Sequence, residues 1–346
     1  MGIPSLFTVH NLHDEKTTLS HIEDRGIDAA KFWQDLYFLN FPGSYETARN
    51  HNPFSMLASG ILAADQMNTV GPSFLHELAD QKLHTPWPVA DAVRGKLAAG
   101  RAHGIINSVP AGISPAYDSN LPVRYDAESH VSGKRANKRA FQILLGLEED
   151  EDALMLFWPS RLDPQQKGCQ LLAEILYNLV SDYWGLGLQV VFIADGPYHH
   201  AFENIARFHG LERRIAVRNF SESFSRLGYA ASDFVLMPSS YEPCGLCQMI
   251  GLRYGSLPIV HATGGLRDTV SPLDCEQHTG NGFPFEVHNS ESLRWAIDQA
   301  VHFYLRPAAE KEANIARIMV QAAKAFPLES MVDQYIGLYR NLLELR

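Results

Sequence analysis

One carboxylate and two cations follow apolar runs of the kind that form buried strands. Glu242 comes shortly after the run from Asp233 to Met237, and Arg161 and Lys167 come after the run Ala153–Trp158. The carboxyl ends of parallel strands meet at one edge of an open α/β sheet, where such folds bind ligands. Arginine and lysine fixed at that edge can bind phosphate and stabilise charge on a departing group. Taken alone, however, an exposed arginine and lysine on a loop need no such role.

Backbone groups near the carboxylate could serve the same chemistry. A helix is predicted to start near Gly245, and its first N–H groups lack intrahelical partners, so they can hold a phosphate or a sugar hydroxyl. A further predicted strand, Leu257–His261, leads into paired glycines whose backbone N–H groups can approach an anion closely. The candidate residues of these two segments are Cys244, Gly245, Leu246, Cys247, Thr263, Gly264 and Gly265.

The segment 236–270 resembles the donor-sugar half of the starch and bacterial glycogen synthases. The matching residues are Pro238-Ser239, Glu242-Pro243-Cys244-Gly245-Leu246, Gln248, Tyr254-Gly255, Pro258, Thr263-Gly264-Gly265-Leu266 and Asp268-Thr269-Val270. The resemblance implies the GT-B fold, an α/β architecture of two Rossmann-like domains, here with a complete C-terminal domain and a truncated N-terminal one. It also implies glucosyl transfer with retention of configuration by front-face attack, without a metal or other cofactor.

The same resemblance implies a role for each candidate side chain. Glu242 binds the donor glucose and supports positive charge at the anomeric carbon. Arg161 and Lys167 stabilise the diphosphate, and because their spacing is one residue longer than in the commonest family pattern, the loop between them is expected to bulge. His10 faces the donor glucose, although without the resemblance a hydrogen-bonded loop histidine is the simpler interpretation. Asn107 matches the asparagine of a family Ile-Asn-Gly segment and is a candidate for donor binding.

Other chemistries at these residues have less support. The Cys-x-x-Cys spacing of Cys244 and Cys247 suits a redox or zinc site, but no second ligand pair accompanies it, so we interpret it as part of the sugar-nucleotide loop. A glycosidase needs a second carboxylate, and the position eight residues after Glu242 is Ile250. The pair His199-His200 has no partner ligand at an informative spacing, so no metal site is predicted. The dinucleotide fingerprint of Rossmann dehydrogenases is also missing.

The composition indicates a globular protein whose partners are not polyanions. Of 346 residues, 46% are hydrophobic and 20% are charged, and 29 basic against 39 acidic residues give a formal charge of −10. Such an acidic chain is a poor candidate for binding nucleic acid or an anionic membrane surface. The basic run 134–139 is expected to open a solvated helix. No apolar run approaches the roughly 20 residues of a membrane-spanning helix, and a cytoplasmic location is the default expectation.

Alternating strand and helix patterns predict a parallel, doubly wound sheet in the second part of the chain. The expected domains are 1–147, the remainder of an acceptor-side domain; 148–324, a donor-nucleotide domain entered through an acidic, solvated linker at 148–152; and 325–346, a helix that crosses back. The predicted strands are 153–158, 188–194, 215–217, 233–237 and 257–261, and the predicted helices are 168–183, 199–208, 221–229, 290–304, 308–324 and 328–345.

The family's opening Lys-x-Gly-Gly-Leu-Ala-Asp-Val segment has no counterpart here, so the chain is expected to be the C-terminal portion of an α-glucan synthase. Missing strands expose an apolar sheet edge, which predicts self-association. The main hypothesis is transfer of α-glucose from ADP-glucose to the nonreducing end of an α-1,4-glucan such as glycogen. The alternatives are a truncated chain that binds a sugar nucleotide without turnover, and a transferase that uses another donor such as UDP-glucose.

Overall fold

The computed structural model describes residues 3–82 and 85–344, which divide into two units. The first unit contains the described residues up to Asn107 together with those from Glu329 onwards, and the second contains Ser108–Leu328. The first unit contains two small sheets and the second contains one larger sheet, and each unit has its own buried apolar clusters.

The second unit is built on a six-stranded parallel sheet, which confirms the predicted α/β fold class. The strand order is β12-β11-β10-β7-β8-β9, so the chain reverses direction across the sheet between β7 and β10. Ligands of doubly wound sheets bind beside such a reversal. The strands are β7 (Met155–Trp158), β8 (Gln189–Ile193), β9 (Ile215–Arg218), β10 (Phe234–Met237), β11 (Leu257–His261) and β12 (Phe283–Phe285).

Helices cover both faces of this sheet. They are α6 (His130–Leu145), α7 (Cys169–Asp182), α8 (His199–Phe208), α9 (Glu222–Ala231), α10 (Cys247–Arg253), α11 (Gly264–Thr269), α12 (Ser290–Tyr304) and α13 (Ala308–Ala325). The helix expected near Gly245 begins two residues later, because Gly245 has φ of 72°, outside the right-handed helical region.

The core lies on the two faces of the six-stranded sheet. Successive side chains of a strand point to opposite faces, so Leu156 and Trp158 join one buried cluster while Met155 and Phe157 join the other. The apolar stripe of α7 packs against the first cluster, as its helical spacing predicts. Burying each side chain of this size stabilises the fold by about 1.5–3 kcal/mol.

The basic run on α6 is solvated only in part: Arg135 and Arg139 are exposed, whereas the two lysines are buried. The Nζ atom of Lys134 donates to the carbonyl oxygens of Ala230, Ser232 and Tyr254 at 2.8–3.1 Å, and Lys134 is buried. Lys138, also buried, donates to the Asp233 carboxylate at 2.7 Å. The long methylene stems reach across the interface with α9, where helix-end carbonyls otherwise lack partners.

The acidic run 148–152 is mostly exposed, as expected, but it lies within the second unit and is bonded to neighbouring elements, so it is not a linker between the units. Glu148 pairs with Arg214 at 2.9 Å, and the backbone N–H of Asp150 donates to the side chain of Gln142 at 3.0 Å. The structure therefore groups 108–147 with the second unit, which differs from the boundary expected at 147/148. The physical reason is that α6 buries its lysines and its apolar stripe against that unit.

The first unit has a three-stranded parallel sheet in the order β1-β5-β6 and a small antiparallel sheet in the order β2-β4-β3. Phe54 and Ser55 form a strand, and a helix begins at Met56 directly after it. Its elements are β1 (Leu6–Val9), β2 (Lys16–Thr17), α1 (Leu19–Glu23), β3 (Tyr37–Phe38), α2 (Tyr45–His51), β4 (Phe54–Ser55), α3 (Met56–Ala63), β5 (Gln66–Thr69), α4 (Pro72–Ala79), α5 (Trp87–Ala98) and β6 (Ala102–Gly104).

The final helix, α14 (Leu328–Glu344), joins the first unit from Glu329 onwards. Within that unit the side-chain amide of Asn68 on β5 donates to the Tyr335 hydroxyl at 3.0 Å. Among the described residues, none of the helices combines the length and apolar character that crossing a bilayer requires.

Candidate functional site

A buried ion pair joins two of the residues that the sequence analysis assigns to one site. The Nζ atom of Lys167 lies 2.5 Å from Oε2 of Glu242, and the two side chains are only 9% and 10% exposed. The Ser239 hydroxyl also donates to this carboxylate oxygen, at 3.2 Å. The two charges come from loops that follow β7 and β10, which are neighbours in the sheet. Adjacent parallel strands therefore bring together residues far apart in the sequence.

Arg161 lies at the same sheet edge but faces solvent. Its side chain is 69% exposed, its guanidinium donates to the Gln166 side chain at 3.1 Å, and it lies 3.9 Å from the Asp163 carboxylate. An exposed pair at that distance adds little stability, because water screens it. The guanidinium thus remains accessible to a ligand at low cost.

A pocket of about 760 Å³ opens between the loops that follow β7, β8 and β9. This volume falls within the usual range of small-molecule sites, roughly 300–1,000 Å³. Its lining residues are Pro159, Ser160, Arg161, Asp163, Pro164, Gln165, Lys167, Ala194, Asp195, Gly196, Pro197 and Phe220.

Phe220 and Ser160 are among the lining residues that the sequence reasoning did not assign to the site. The Phe220 ring is 56% exposed although it lies in the pocket wall. The signal that could have identified it is its place, two residues beyond the end of β9 at the ligand-binding edge. Ser160 is buried, and its hydroxyl has no hydrogen-bond partner in the part of the chain that the structure describes. A buried hydroxyl without a partner is costly unless a ligand or water completes it.

The two loops that carry the ion pair are bonded to each other. The backbone N–H of Ser240 donates to the carbonyl of Gln166 at 2.8 Å, and the Gln166 side chain donates to the carbonyl of Tyr241 at 3.3 Å. Gly168 has φ of 69°, and a Cβ there would lie 2.0 Å from the carbonyl oxygen of Pro238. Only glycine fits this close approach. The loops consequently hold the lysine and the glutamate in fixed register.

The chain between Arg161 and Lys167, one residue longer than in the commonest family pattern, forms a turn at Asp163. The Asp163 carboxylate accepts from the backbone N–H of Gln165 at 2.8 Å, and its carbonyl accepts from the backbone N–H of Lys167 at 2.9 Å. These bonds return the chain towards the sheet edge, so Lys167 still reaches Glu242.

The paired glycines at the start of α11 serve packing in a way that the sequence analysis did not expect. The backbone N–H of Gly265 donates to the carbonyl of Glu242 at 2.9 Å, so it is engaged within the protein instead of facing an anion. A Cβ on Gly265 would lie 2.1 Å from the carbonyl oxygen of Cys244, which explains the glycine. The turn at Thr263 therefore fixes the backbone of the glutamate loop.

The Cys244–Gln248 segment is held by one side-chain amide. Nε2 of Gln248 lies within 3.0 Å of the carbonyls of Cys244 and Gly245 and of the Thr269 hydroxyl. Leu246, at the tip of this turn, is 41% exposed. The segment thus presents its backbone at the same edge of the sheet as Glu242.

A family model described as "Glycosyl transferases group 1" matches residues 146–317. Glycogen synthase 1 of Geobacter sulfurreducens is 33% identical over 348 residues, which cover 100% of this chain and 65% of that protein. The glycogen synthase of Streptococcus sanguinis is 32% identical, with 99% of this chain and 68% of that protein covered. The chain belongs to the glycogen synthase family. It spans about two thirds of the length of these curated relatives.

Solved structures agree with the family assignment. The catalytic domain of starch synthase IV from Arabidopsis thaliana, bound to ADP and acarbose, is 26% identical with a TM-score of 0.80, covering 98% of this chain and 67% of that one. Sucrose-phosphate synthase from Thermosynechococcus elongatus shares the fold. It is 18% identical with a TM-score of 0.59, and the match covers 99% of this chain and 68% of that one. These matches confirm the resemblance inferred from the motif, the GT-B fold, and membership of a family of hexosyltransferases.

In the part of the chain that the structure describes, Cys169, Cys244, Cys247 and Cys275 are not joined by disulfide bonds. Burial raises the pKa of the Cys247 thiol, which disfavours the thiolate that redox chemistry or metal binding needs. The burial of Cys247 therefore disfavours a redox or zinc site at Cys244 and Cys247.

His10 and Asn107 belong to the first unit, whereas the other candidate site residues of this glycogen synthase relative belong to the second. His10 follows β1 directly and is exposed, as expected for a residue at a strand's carboxyl end. Asn107 is half-buried and is the last residue before the division between the units.

One cluster outside the glycogen synthase motif was not anticipated. Ligand atoms of His199, His200 and Glu203 lie within 4.8 Å of one another at the start of α8. Nδ1 of His200 lies 2.9 Å and Nδ1 of His199 lies 3.6 Å from Oε2 of Glu203. The glutamate, one helical turn on, is the partner that the sequence analysis did not find. Its pKa is lowered by the His200 hydrogen bond, as in an ordinary helical ion pair.

Proposed function

We propose that this chain transfers α-glucose from ADP-glucose to the nonreducing end of an α-1,4-glucan, with retention of configuration. The observation that supports this most directly is the buried Lys167–Glu242 pair beside the pocket of about 760 Å³. A cation and a carboxylate in contact match a reaction in which a diphosphate leaves and positive charge develops on the sugar.

In this proposal the pocket takes the nucleoside diphosphate of the donor. The exposed face of Phe220 stacks on the base, and the Ser160 hydroxyl, which has no partner among the described residues, bonds to the ligand. Arg161 grips the phosphates from the solvent side, and Lys167 reaches them from the sheet edge. Backbone groups of the Cys244–Cys247 turn and of Thr263 and Gly264 contact the sugar.

The chemical step breaks the bond between the anomeric carbon and the diphosphate oxygen. The acceptor's 4-hydroxyl attacks on the face from which the diphosphate leaves, and its proton passes to the departing phosphate oxygen. The ammonium of Lys167 stabilises the growing negative charge, while the carboxylate of Glu242 supports the positive charge on the sugar. His10 and Asn107 enter the proposal only through the sequence resemblance.

ADP is proposed as the nucleotide because the Arabidopsis starch synthase IV structure, which resembles this chain over almost its whole length, is bound to ADP. A cytoplasmic location and self-association through β1, an edge strand of its sheet, are kept as predictions from the sequence. Self-association is measured by light scattering on the purified chain.

The experiment that tests the proposed function is glucose incorporation into glycogen by the purified chain, with ADP-glucose and UDP-glucose compared at equal concentration. Calorimetric titration measures donor binding in parallel, and a cooperative thermal transition shows that the protein is folded. Faster transfer from ADP-glucose supports the proposal. Faster transfer from UDP-glucose refutes the choice of nucleotide, and absence of binding by either donor refutes the site.

A second candidate function is sugar-nucleotide binding without turnover. The observation that favours it is that the chain spans only about two thirds of its curated relatives, while the donor-side residues are assembled within one unit. Donor binding in the calorimeter without glucose incorporation is the result that selects it.

A further inference from the structure

Two histidines hold the backbone of the loop that carries Glu242. His261 is the last residue of β11, and its Nδ1 lies 2.8 Å from the carbonyl oxygen of Ser239. His288 follows β12, and its Nε2 lies 3.0 Å from the carbonyl oxygen of Pro238. The centroids of the two rings are 4.9 Å apart. Together the two histidines bond to consecutive carbonyls of one loop.

These carbonyls are the first that β10 leaves without a strand partner. The parallel ladder between β10 and β11 ends with Met237 opposite Val260. Pro238 is buried, and Ser239 is almost completely buried, so their carbonyl oxygens need partners from within the protein. The histidine rings supply them where the ladder stops.

The contacts show which nitrogen of each ring must carry a proton. A carbonyl oxygen only accepts hydrogen bonds, so His261 carries its proton on Nδ1 and His288 carries its proton on Nε2. Burial lowers the pKa of His261, which favours the neutral ring.

A hydrogen bond and a packing contact connect these two carbonyls to the Lys167–Glu242 ion pair. Ser239, whose carbonyl His261 holds, donates its hydroxyl to the Glu242 carboxylate at 3.2 Å. The carbonyl of Pro238, which His288 holds, packs against Gly168, the residue after Lys167. Displacing these two carbonyls therefore shifts both members of the Lys167–Glu242 pair.

We propose that His261 and His288 are positioning residues that set the place of the Glu242 carboxylate during glucosyl transfer. This inference rests on the proposed function for its kinetic test. Neither ring is assigned a contact with substrate. Misplacing a reacting group by about 1 Å can reduce a rate by about 100-fold, so the effect on turnover is expected to be large.

The test compares variants that keep or remove the hydrogen-bond donor of each histidine. His261→Asn places an amide N–H where Nδ1 stands, and His288→Gln places one where Nε2 stands, whereas His261→Leu and His288→Leu remove the donor but keep the bulk. We expect the leucine variants to lose about 10- to 100-fold in kcat with the KM for ADP-glucose nearly unchanged, since the pocket remains intact. The amide variants are expected to stay within about threefold of the parent. His302→Leu, exposed on α12, is the matched control.

Equal loss of kcat in the leucine and amide variants would show that only packing matters and would overturn the proposal. Unchanged kcat in both leucine variants would do the same. A parent chain without glucosyl transfer refutes the proposed function separately. In that case crystal structures of the parent and of His261→Leu still test the positioning role, because the inference requires the Ser239 and Glu242 side chains to lie in different places in the two structures. An unmoved loop, or an unprotonated Nδ1 of His261 in nitrogen NMR, would overturn it.

Discussion

Removing Glu242 is expected to destabilise the second unit as well as to abolish turnover. In Glu242→Ala the ammonium of Lys167 stays buried without its carboxylate, which was 2.5 Å away, in a site where the side chain is only 9% exposed. Breaking a buried ion pair by removing one partner typically costs about 3–5 kcal/mol. We expect the lower end, about 3 kcal/mol, because the pocket admits water beside the lysine.

The magnitude is measurable by thermal unfolding. A loss of about 3 kcal/mol corresponds to a fall in Tm of about 6–12 °C for a unit of this size. Lys167→Met leaves the carboxylate alone and should cost a similar amount. The double variant Glu242→Ala/Lys167→Met removes both charges and should recover more than half of the loss, since no unpaired charge remains.

The reference measurement is the double-mutant cycle from urea unfolding at pH 7, with Arg161→Ala as the exposed-charge control. The reasoning that the pair is desolvated and coupled would be refuted by either of two results. One is that the losses in unfolding free energy of the single variants add up to that of the double variant; the other is that each single variant lies within about 0.5 kcal/mol of the parent.

Four further outcomes are expected. Arg161→Ala should lower kcat/KM for the donor by about 100-fold while leaving Tm unchanged, since its side chain is 69% exposed; a large Tm shift would contradict this. Phe220→Ala should weaken ADP binding by about 5- to 150-fold in calorimetry if the base stacks there, and unaltered affinity would place the base elsewhere. Burial lowers the pKa of Lys134 to about 7, below its unfolded value, so the unfolded chain binds more protons and stability should rise from pH 7 to about 10.5. Urea unfolding should show that this pH-dependent gain is smaller in Lys134→Met. Cys247→Ser should leave activity nearly unchanged. If the parent contained bound metal and this variant did not, the zinc interpretation would be supported instead.

Local sequence patterns predicted most of the second unit. Helices α8 and α12 have the predicted bounds, because an apolar stripe at helical spacing must face the sheet. The short strand β12 was not predicted, since three residues give too little pattern. The helical boundary near Gly245 was placed two residues early, because the left-handed φ of that glycine depends on the close turn around Gln248.

That Arg161, Lys167 and Glu242 gather at one sheet edge was predictable, because these residues follow strand ends. Arg161, Lys167 and Glu242 follow strands that are neighbours in a parallel sheet, and sheet geometry alone brings their loops to one edge. The amino-acid pattern also identified the family, because the motif around Glu242 is long and locally continuous.

What the sequence by itself determined, therefore, is the order of most strands and helices in the second unit, the motif, and the edge at which its charges gather. Only the tertiary structure decided which polar groups are buried and what completes them. Lys134 looks like a solvated charge until the carbonyls at the end of α9 surround it, and the N–H of Gly265 looks free until the carbonyl of Glu242 engages it. Hydrogen-bond partners that are distant in the chain leave no local signature, because they depend on how helices and loops pack around the finished sheet.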